Sequence, residues 1–311
     1  MRWSKLKRIS IILLLSSVLV EAQTMIKKPY TVETTYKKYI EKYPDIDYPK
    51  PLNRSSLQVT KNLVYNQHRP ELTMDVYRPK SKKRLPAIVL IHGGGWISGS
   101  RSNFDELASH LAHRGFVVAN ISYSLSDKRK FPAAIYDVNY ALGFLRKQAP
   151  RFKLIKRKIA VLGGSAGAQI ATLVGVSEKS GAFKVKGRNH RVQAIINLDG
   201  ITSFIHPEAD AEGAYAAYWL GGDRKTNYSA WKAASALEYL HKNTPPVLFL
   251  NSSFDRFHAG RDDMIDYLNA NGVYNKTHTF KDSPHSFWLL EPWFTSTVDQ
   301  ITSFLNKQFI Q

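Results

Sequence analysis

Hydrophobic positions along this chain fall into brief, nearly continuous runs separated by stretches with helical spacing. Pro86 to Ile91 (PAIVLI), Phe116 to Ile121 (FVVANI), Ile159 to Leu162, Val192 to Leu198 (VQAIINL) and Val247 to Leu250 read as strands buried on both faces. Between them, Phe104 to His113 carries Phe104, Leu107, Ala108 and Leu111 at helical spacing and stops at Gly115. Pro132 to Arg146 places Ile135, Val138, Leu142 and Leu145 on one face, and Ile170, Leu173 and Val174 repeat the pattern after Ser165. Met264 to Asn271 and Val298 to Phe309 read as late helices around a short strand, Thr277 to Phe280. Leu57 to Val64 and Leu72 to Tyr77 form an antiparallel start. Strands alternating with helices predict an α/β domain over 53–311, with a mostly parallel central sheet covered on both faces.

Two segments break the alternation. Residues 23–52 are rich in Tyr, Lys and Pro without a clean apolar period, and read as a surface-packed or mobile N-terminal extension. Residues 201–244 are irregular and aromatic (Phe204, Tyr215, Tyr218, Trp219, Tyr228, Trp231), a small insertion expected before the strand that bears the acid.

The chemistry concentrates at the end of the run Ile159 to Leu162. There Gly163-Gly164-Ser165-Ala166-Gly167 joins a strand to a helix as G-x-S-x-G. Such a turn is sharp enough to hold a serine in a strained conformation with its hydroxyl clear of the backbone, at a helix N-terminus whose N–H groups and dipole face developing charge. His92-Gly93-Gly94-Gly95 ends the strand PAIVLI, and three glycines let backbone N–H groups approach a substrate oxygen. Gly94 and Gly95, with the N–H of Ala166, are therefore candidates for an oxyanion hole, and His92 for organising the loop. His285, in DSPHSFW after the last strand, is the candidate general base. Asp255, past the strand VLFLN, is the first choice of acid, with Asp199 at the end of the preceding strand as the alternative. The order serine, acid, histidine is that of α/β-hydrolases.

Composition narrows the setting. The chain has 311 residues and no cysteine, which excludes a thiol nucleophile, disulfides and thiolate metal sites. Arg2, Lys5, Lys7 and Arg8, the apolar stretch Ile9 to Val20 and Val20-Glu21-Ala22 read as a cleavable secretory leader over 1–22. Its apolar core is too short for stable membrane insertion, so a periplasmic or secreted protein is expected. Cleavage removes four positive charges and Glu21, lowering the formal net charge from +19 to +16. With a leader and no contiguous basic helix, this charge points away from nucleic acid as partner.

HGGGWISGS, ISYSLSDKRKFPAAIYDVNYALGFLRKQA and IAVLGGSAGAQIA together resemble the bacterial feruloyl/acetyl-xylan esterase-like branch of the α/β-hydrolases, over about residues 60–290. The resemblance implies a serine esterase without a cofactor or metal, acting on acyl groups of plant cell-wall polysaccharides. By position it puts the nucleophile on Ser165, the oxyanion loop on Gly94 and Gly95, and the base on His285. Two departures stand out: Tyr123-Ser124 replaces the usual tyrosine-arginine, and Gly167-Ala168 replaces two glycines. The C-terminal part, SSFDRFHAGRDD with PHSFWLLEPWF, resembles exported hydrolases associated with pectin breakdown.

Trp96, Arg256, His258 and Arg261 are candidate substrate contacts at the rim, the arginines for carboxylates such as those of a galacturonate polymer. The alternative is a structural network of arginine with Asp262 and Asp263. The aromatics of 204–231 either stack on sugar rings or cap the core. The expected function is thus exported de-esterification of pectin or xylan (acetyl, methyl or feruloyl ester), releasing acetate, methanol or an aromatic acid. Alternatives are a generic short-chain carboxylesterase, an amide hydrolase, or a non-catalytic polyanion-binding protein on the same scaffold.

Overall fold

Alternate residues of the central strands supply two separate cores. In β3 (Leu85–Ile91), Ala87, Val89 and Ile91 join one hydrophobic cluster while Ile88 and Leu90 join the other. The structure, a computed structural model, describes residues 29–309, so the leader expected over 1–22 lies outside the described residues. The strands, with β1 (Leu57–Val64), β2 (Thr73–Pro79), β4 (Val117–Ile121), β5 (Leu154–Gly164), β6 (Ala194–Leu198), β7 (Val247–Asn251) and β8 (Asn275–Thr279), form one eight-stranded sheet in the order β1-β2-β4-β3-β5-β6-β7-β8. β2 pairs antiparallel with β1 and β4, and every other pairing is parallel.

A residue facing either side of this sheet meets a helix, which is why the strands read as unbroken apolar runs. The main helices are α1 (Val32–Tyr39), α2 (Asp105–His113), α3 (Ala133–Lys147), α4 (Ala166–Ser177), α5 (Gly213–Leu220), α6 (Tyr228–Ala234), α7 (Arg261–Ala270) and α8 (Trp293–Phe309).

 α2 and α8 cover the Ile88 face through Leu107, Leu111, Phe294, Val298, Ile301 and Leu305. α3, α4 and α7 cover the Val89 face through Ile135, Val138, Leu142, Ile170, Leu173, Val174, Met264 and Leu268. Among the described residues, no helix is long and apolar enough to cross a membrane.

The expectation of an irregular segment changes at residues 201–244, and the N-terminal extension takes one of its two expected forms. Residues 201–244 are partly helical, containing α5 and α6, and Phe204, Trp219 and Trp231 are buried in the core. They form an aromatic wall: Trp219 stacks on Trp96 at 5.1 Å, and Phe204 packs on both. The described part of the N-terminal extension is surface-packed and holds helix α1 (Val32–Tyr39), whose N-cap Thr31 accepts from Thr34 N–H. Interspersed Lys and Thr weaken the apolar contrast of this helix, yet Tyr30, Val32, Tyr36, Tyr39 and Tyr43 pack on the face that carries α8. The edge strand β8 runs Asn275–Thr279 and is half solvent-facing, so its apolar signal is short.

Candidate active site

The end of β5 is built by contacts that admit only glycine. A Cβ on Gly163 would lie 2.0 Å from Gly167 O, and one on Gly167 would lie 2.1 Å from Ile91 O. With both side chains absent, the chain turns directly from strand into α4. Ser165, at the turn, adopts φ 54°, ψ −123°, a sparsely populated backbone conformation that costs about 1–3 kcal/mol. Ala168, the family departure, is accommodated because Gly200 stands opposite without a Cβ.

Ser165 Oγ lies 2.9 Å from His285 Nε2, and His285 Nδ1 lies 2.6 Å from Asp199 Oδ2. Because a carboxylate only accepts, Nδ1 carries the proton and Nε2 is free to accept from the serine hydroxyl. Asp199 is fully buried, with four hydrogen bonds to its two oxygens. Oδ2 takes His285 Nδ1–H and Ser252 Oγ–H (2.5 Å); Oδ1 takes Ser252 N–H (2.9 Å) and His258 Nε2–H (3.2 Å). Burial pushes the carboxyl pKa up, but the bonds from His258, His285 and Ser252 together outweigh it and hold the group well below the usual carboxylate range.

Asp255, the first choice from the sequence, is not the partner of His285. Its side chain is 101% exposed and touches His258 instead, with 3.4 Å to Nδ1. The reason is topological. β6 lies next to β5, so Asp199 emerges one strand from the serine, whereas Asp255 follows β7 by a further turn. The aromatic segment 201–244 consequently follows the acid-bearing strand rather than preceding it.

The glycine loop packs against the nucleophile. A Cβ on Gly93 would lie 2.7 Å from Gly164 O and 3.2 Å from Ser165 Cβ. Gly94 has φ +123°, and its carbonyl accepts from Ile97 N–H and Ser98 N–H, which pins the loop. The N–H groups of Gly94, Gly95 and Ala166 donate to no backbone carbonyl among the described residues. His92 organises this loop: it is buried, bonds Gly93 O at 2.8 Å and stacks on Tyr123. Burial pushes its pKa down to about 4, so it stays neutral. At the other departure, Ser124 bonds Asp137, and Arg69 supplies the guanidinium to that carboxylate at 2.8 Å.

The rim candidates separate. Trp96 lines the cleft but is buried, with Nε1–H donating to Gln169 at 3.2 Å. His258 faces Asp199 rather than a substrate, and Arg261 is held by Asp262 at 2.7 Å, the structural network. Arg256 is exposed and lies over Phe257 at 4.6 Å. Phe257, which the sequence reading missed, stacks on the His285 ring with centroids 3.5 Å apart. Together with Trp96, Gln169, Gly200 and Ile201 it narrows the cavity beside Ser165 to about 10 Å³, room for about one water-sized group. A larger cavity of about 180 Å³ lies at the opposite strand ends and contains none of these residues. No cluster of His, Asp or Glu suited to a metal occurs among the described residues.

A doubly covered, mostly parallel sheet with a serine elbow, a histidine and a buried aspartate in hydrogen-bonded series defines an α/β-hydrolase. The BD-FAE family model matches residues 74–270, well over half of the chain, and the chain belongs to that family. It is 28% identical over 216 residues to esterase LipQ of Mycobacterium tuberculosis, an alignment covering 67% of this chain and 51% of that protein. The chain thus spans about half the length of this curated relative. Among solved structures it is similar to a bifunctional GH43-CE protein of Bacteroides eggerthii (21% identity, 81% of this chain and 38% of that one, TM-score 0.69). It is also similar to an acetyl ester-xyloside bifunctional hydrolase from Caldicellulosiruptor lactoaceticus (20% identity, 80% and 96%, TM-score 0.66). At these identities the two structures attest the fold.

Proposed function

We propose that this protein is a serine esterase that removes small acyl groups, acetyl foremost, from cell-wall polysaccharide. The observation that carries the reading is the unbroken series Ser165 Oγ, His285, Asp199, at 2.9 and 2.6 Å. In the first half-reaction His285 Nε2 takes the proton of Ser165 as Oγ attacks the ester carbonyl. The N–H groups of Gly94, Gly95 and Ala166 hold the oxyanion, and Asp199 stabilises the imidazolium. His285 then protonates the leaving alcohol. In the second half-reaction it deprotonates water, which attacks the acyl-enzyme and releases the acid and free Ser165.

The narrow cavity favours acetyl over feruloyl as the acyl group. The carbohydrate side is supported by the chemistry of the Caldicellulosiruptor neighbour, and the formal charge of +16 left after leader cleavage favours acidic polymers such as pectin. Cleavage of residues 1–22 would place the enzyme outside the cytoplasm, where such polymers occur. The test is release of acetate, methanol and ferulate from acetylated pectin and from acetylated, feruloylated xylan, beside Ser165→Ala. Serine-dependent acetate release supports the reading. Cleavage of aryl acetates with no release from any polymer would leave a generic esterase.

A further inference from the structure

The triad carboxylate has a second imidazole. His258 is 6% exposed and presents Nε2 to Asp199 Oδ1 at 3.2 Å, on the oxygen that His285 does not use. Asp199 is ionised and only accepts, so the proton of a neutral His258 sits on Nε2. Its Nδ1 is then bare, buried and without a hydrogen bond, and the nearest charge is Asp255 Oδ1 at 3.4 Å. Asp255 competes weakly for that proton, because it is fully exposed and screened by water while Asp199 is buried.

The ring is also placed independently of Asp199. His258 N–H donates to Asp255 O at 2.8 Å, its carbonyl accepts from Arg261 N–H at 2.8 Å, and the next carbonyl, Ala259 O, accepts from Thr202 N–H at 2.9 Å. The turn is thus stitched to the segment just past Asp199, and the imidazole meets the carboxylate from a fixed direction. The charged and titratable groups around it and its carboxylate are Asp199 and Asp255, His285 across the carboxylate, Tyr39 from α1, Arg256 in the same turn, and the paired Arg261 and Asp262.

We propose that His258 is a positioning residue: its Nε2–H holds Asp199 Oδ1 so that Oδ2 stays aimed at His285. This rests on the hydrolase reading above. Without the donor, Oδ1 keeps only the 2.9 Å bond from Ser252 N–H, and Asp199, held less firmly and less stabilised as an anion, draws the His285 proton more strongly. The acid limb of kcat/KM then moves to higher pH. His258→Phe removes the donor while keeping a ring, and His258→Gln returns an N–H near the position of Nε2.

The experiment measures kcat, KM and the pH profile for aryl acetate hydrolysis by wild type, Ser165→Ala and both His258 variants, with Tm as the folding control. The low-field proton resonance of His285 Nδ1–H is recorded for each as a readout that needs no turnover. His258→Phe is expected to lose about tenfold in kcat with KM little changed, to shift the acid limb upward and to move the low-field resonance. His258→Gln is expected to recover most of each change. An unchanged kcat, acid limb and resonance in His258→Phe overturns the proposal, as does a folded His258→Gln that is impaired as deeply as His258→Phe. Absence of any Ser165-dependent turnover in wild type is a separate result: it overturns the hydrolase reading, while the resonance still reports whether His258 holds Asp199.

Discussion

Replacing Asp199 and Asp255 separately by Asn tests which carboxylate serves the base. Asp199 accepts four hydrogen bonds, two on each oxygen, and all four donors are fixed by the fold. An asparagine keeps one oxygen and turns an NH₂ toward the other pair. If the NH₂ faces His285, the imidazole moves its proton to Nε2 and loses the lone pair that accepts from Ser165. If it faces Ser252 N–H and His258, two buried donors confront a third at about 1–3 kcal/mol each. The first outcome corresponds to a loss of about 10⁴-fold in kcat, or about 5.5 kcal/mol in barrier height. Asp255 is fully exposed and lies 3.4 Å from His258, so its neutralisation changes kcat by less than about threefold. Steady-state hydrolysis of an aryl acetate at neutral pH, with Tm for each variant, decides the matter. Comparable losses in the two folded variants, or a larger one in Asp255→Asn, would refute the assignment of Asp199.

Three further perturbations probe the site and its frame. Phe257→Ala opens the cavity beside Ser165, and at about 0.8 kcal/mol per buried methylene the preference for butyrate over acetate should rise about tenfold; an unchanged ratio of kcat/KM argues against Phe257 as the wall. Gly167→Ala sets a Cβ 2.1 Å from Ile91 O, so soluble, active enzyme should be lost, and a folded variant with wild-type Tm and turnover contradicts the close approach. His92 has a native pKa of about 4 against an ordinary value near 6.5, so the unfolded chain binds the extra proton between those limits. Its contribution is therefore complete above about pH 6.5 and is lost as pH falls toward 4, by about 3 kcal/mol in all. Denaturant unfolding across that range should show a shallower pH slope in His92→Asn, and parallel slopes would exclude His92 as the cause.

The α/β class, the central strands and the elbow follow from local patterns in the chain. Runs such as PAIVLI and VQAIINL are apolar on both faces only when both faces are covered. Gly163, Ser165 and Gly167 are spaced so that strand and helix meet with no side chain between them. His285 was legible because a histidine just past the last strand has few other neighbours in chain order to serve. Lateral position, by contrast, emerges only once the sheet is assembled. The choice between Asp199 and Asp255 depends on which strand lies beside β5, and strand order is not written in the local pattern of either segment. The same holds for His258, which looked like a rim residue until the turn 255–261 brought it under Asp199, and for Phe257, whose contact with His285 joins loops from opposite sides of β8. Helix α1 was missed for a different reason: Glu33, Lys37 and Lys38 face water, the inward position Thr35 is polar, and the tyrosines that dock the helix become apolar contacts only against a folded surface. Local sequence sets periodicity and turn geometry through short-range sterics and burial, while the pairing of distant side chains is set by strand order and register.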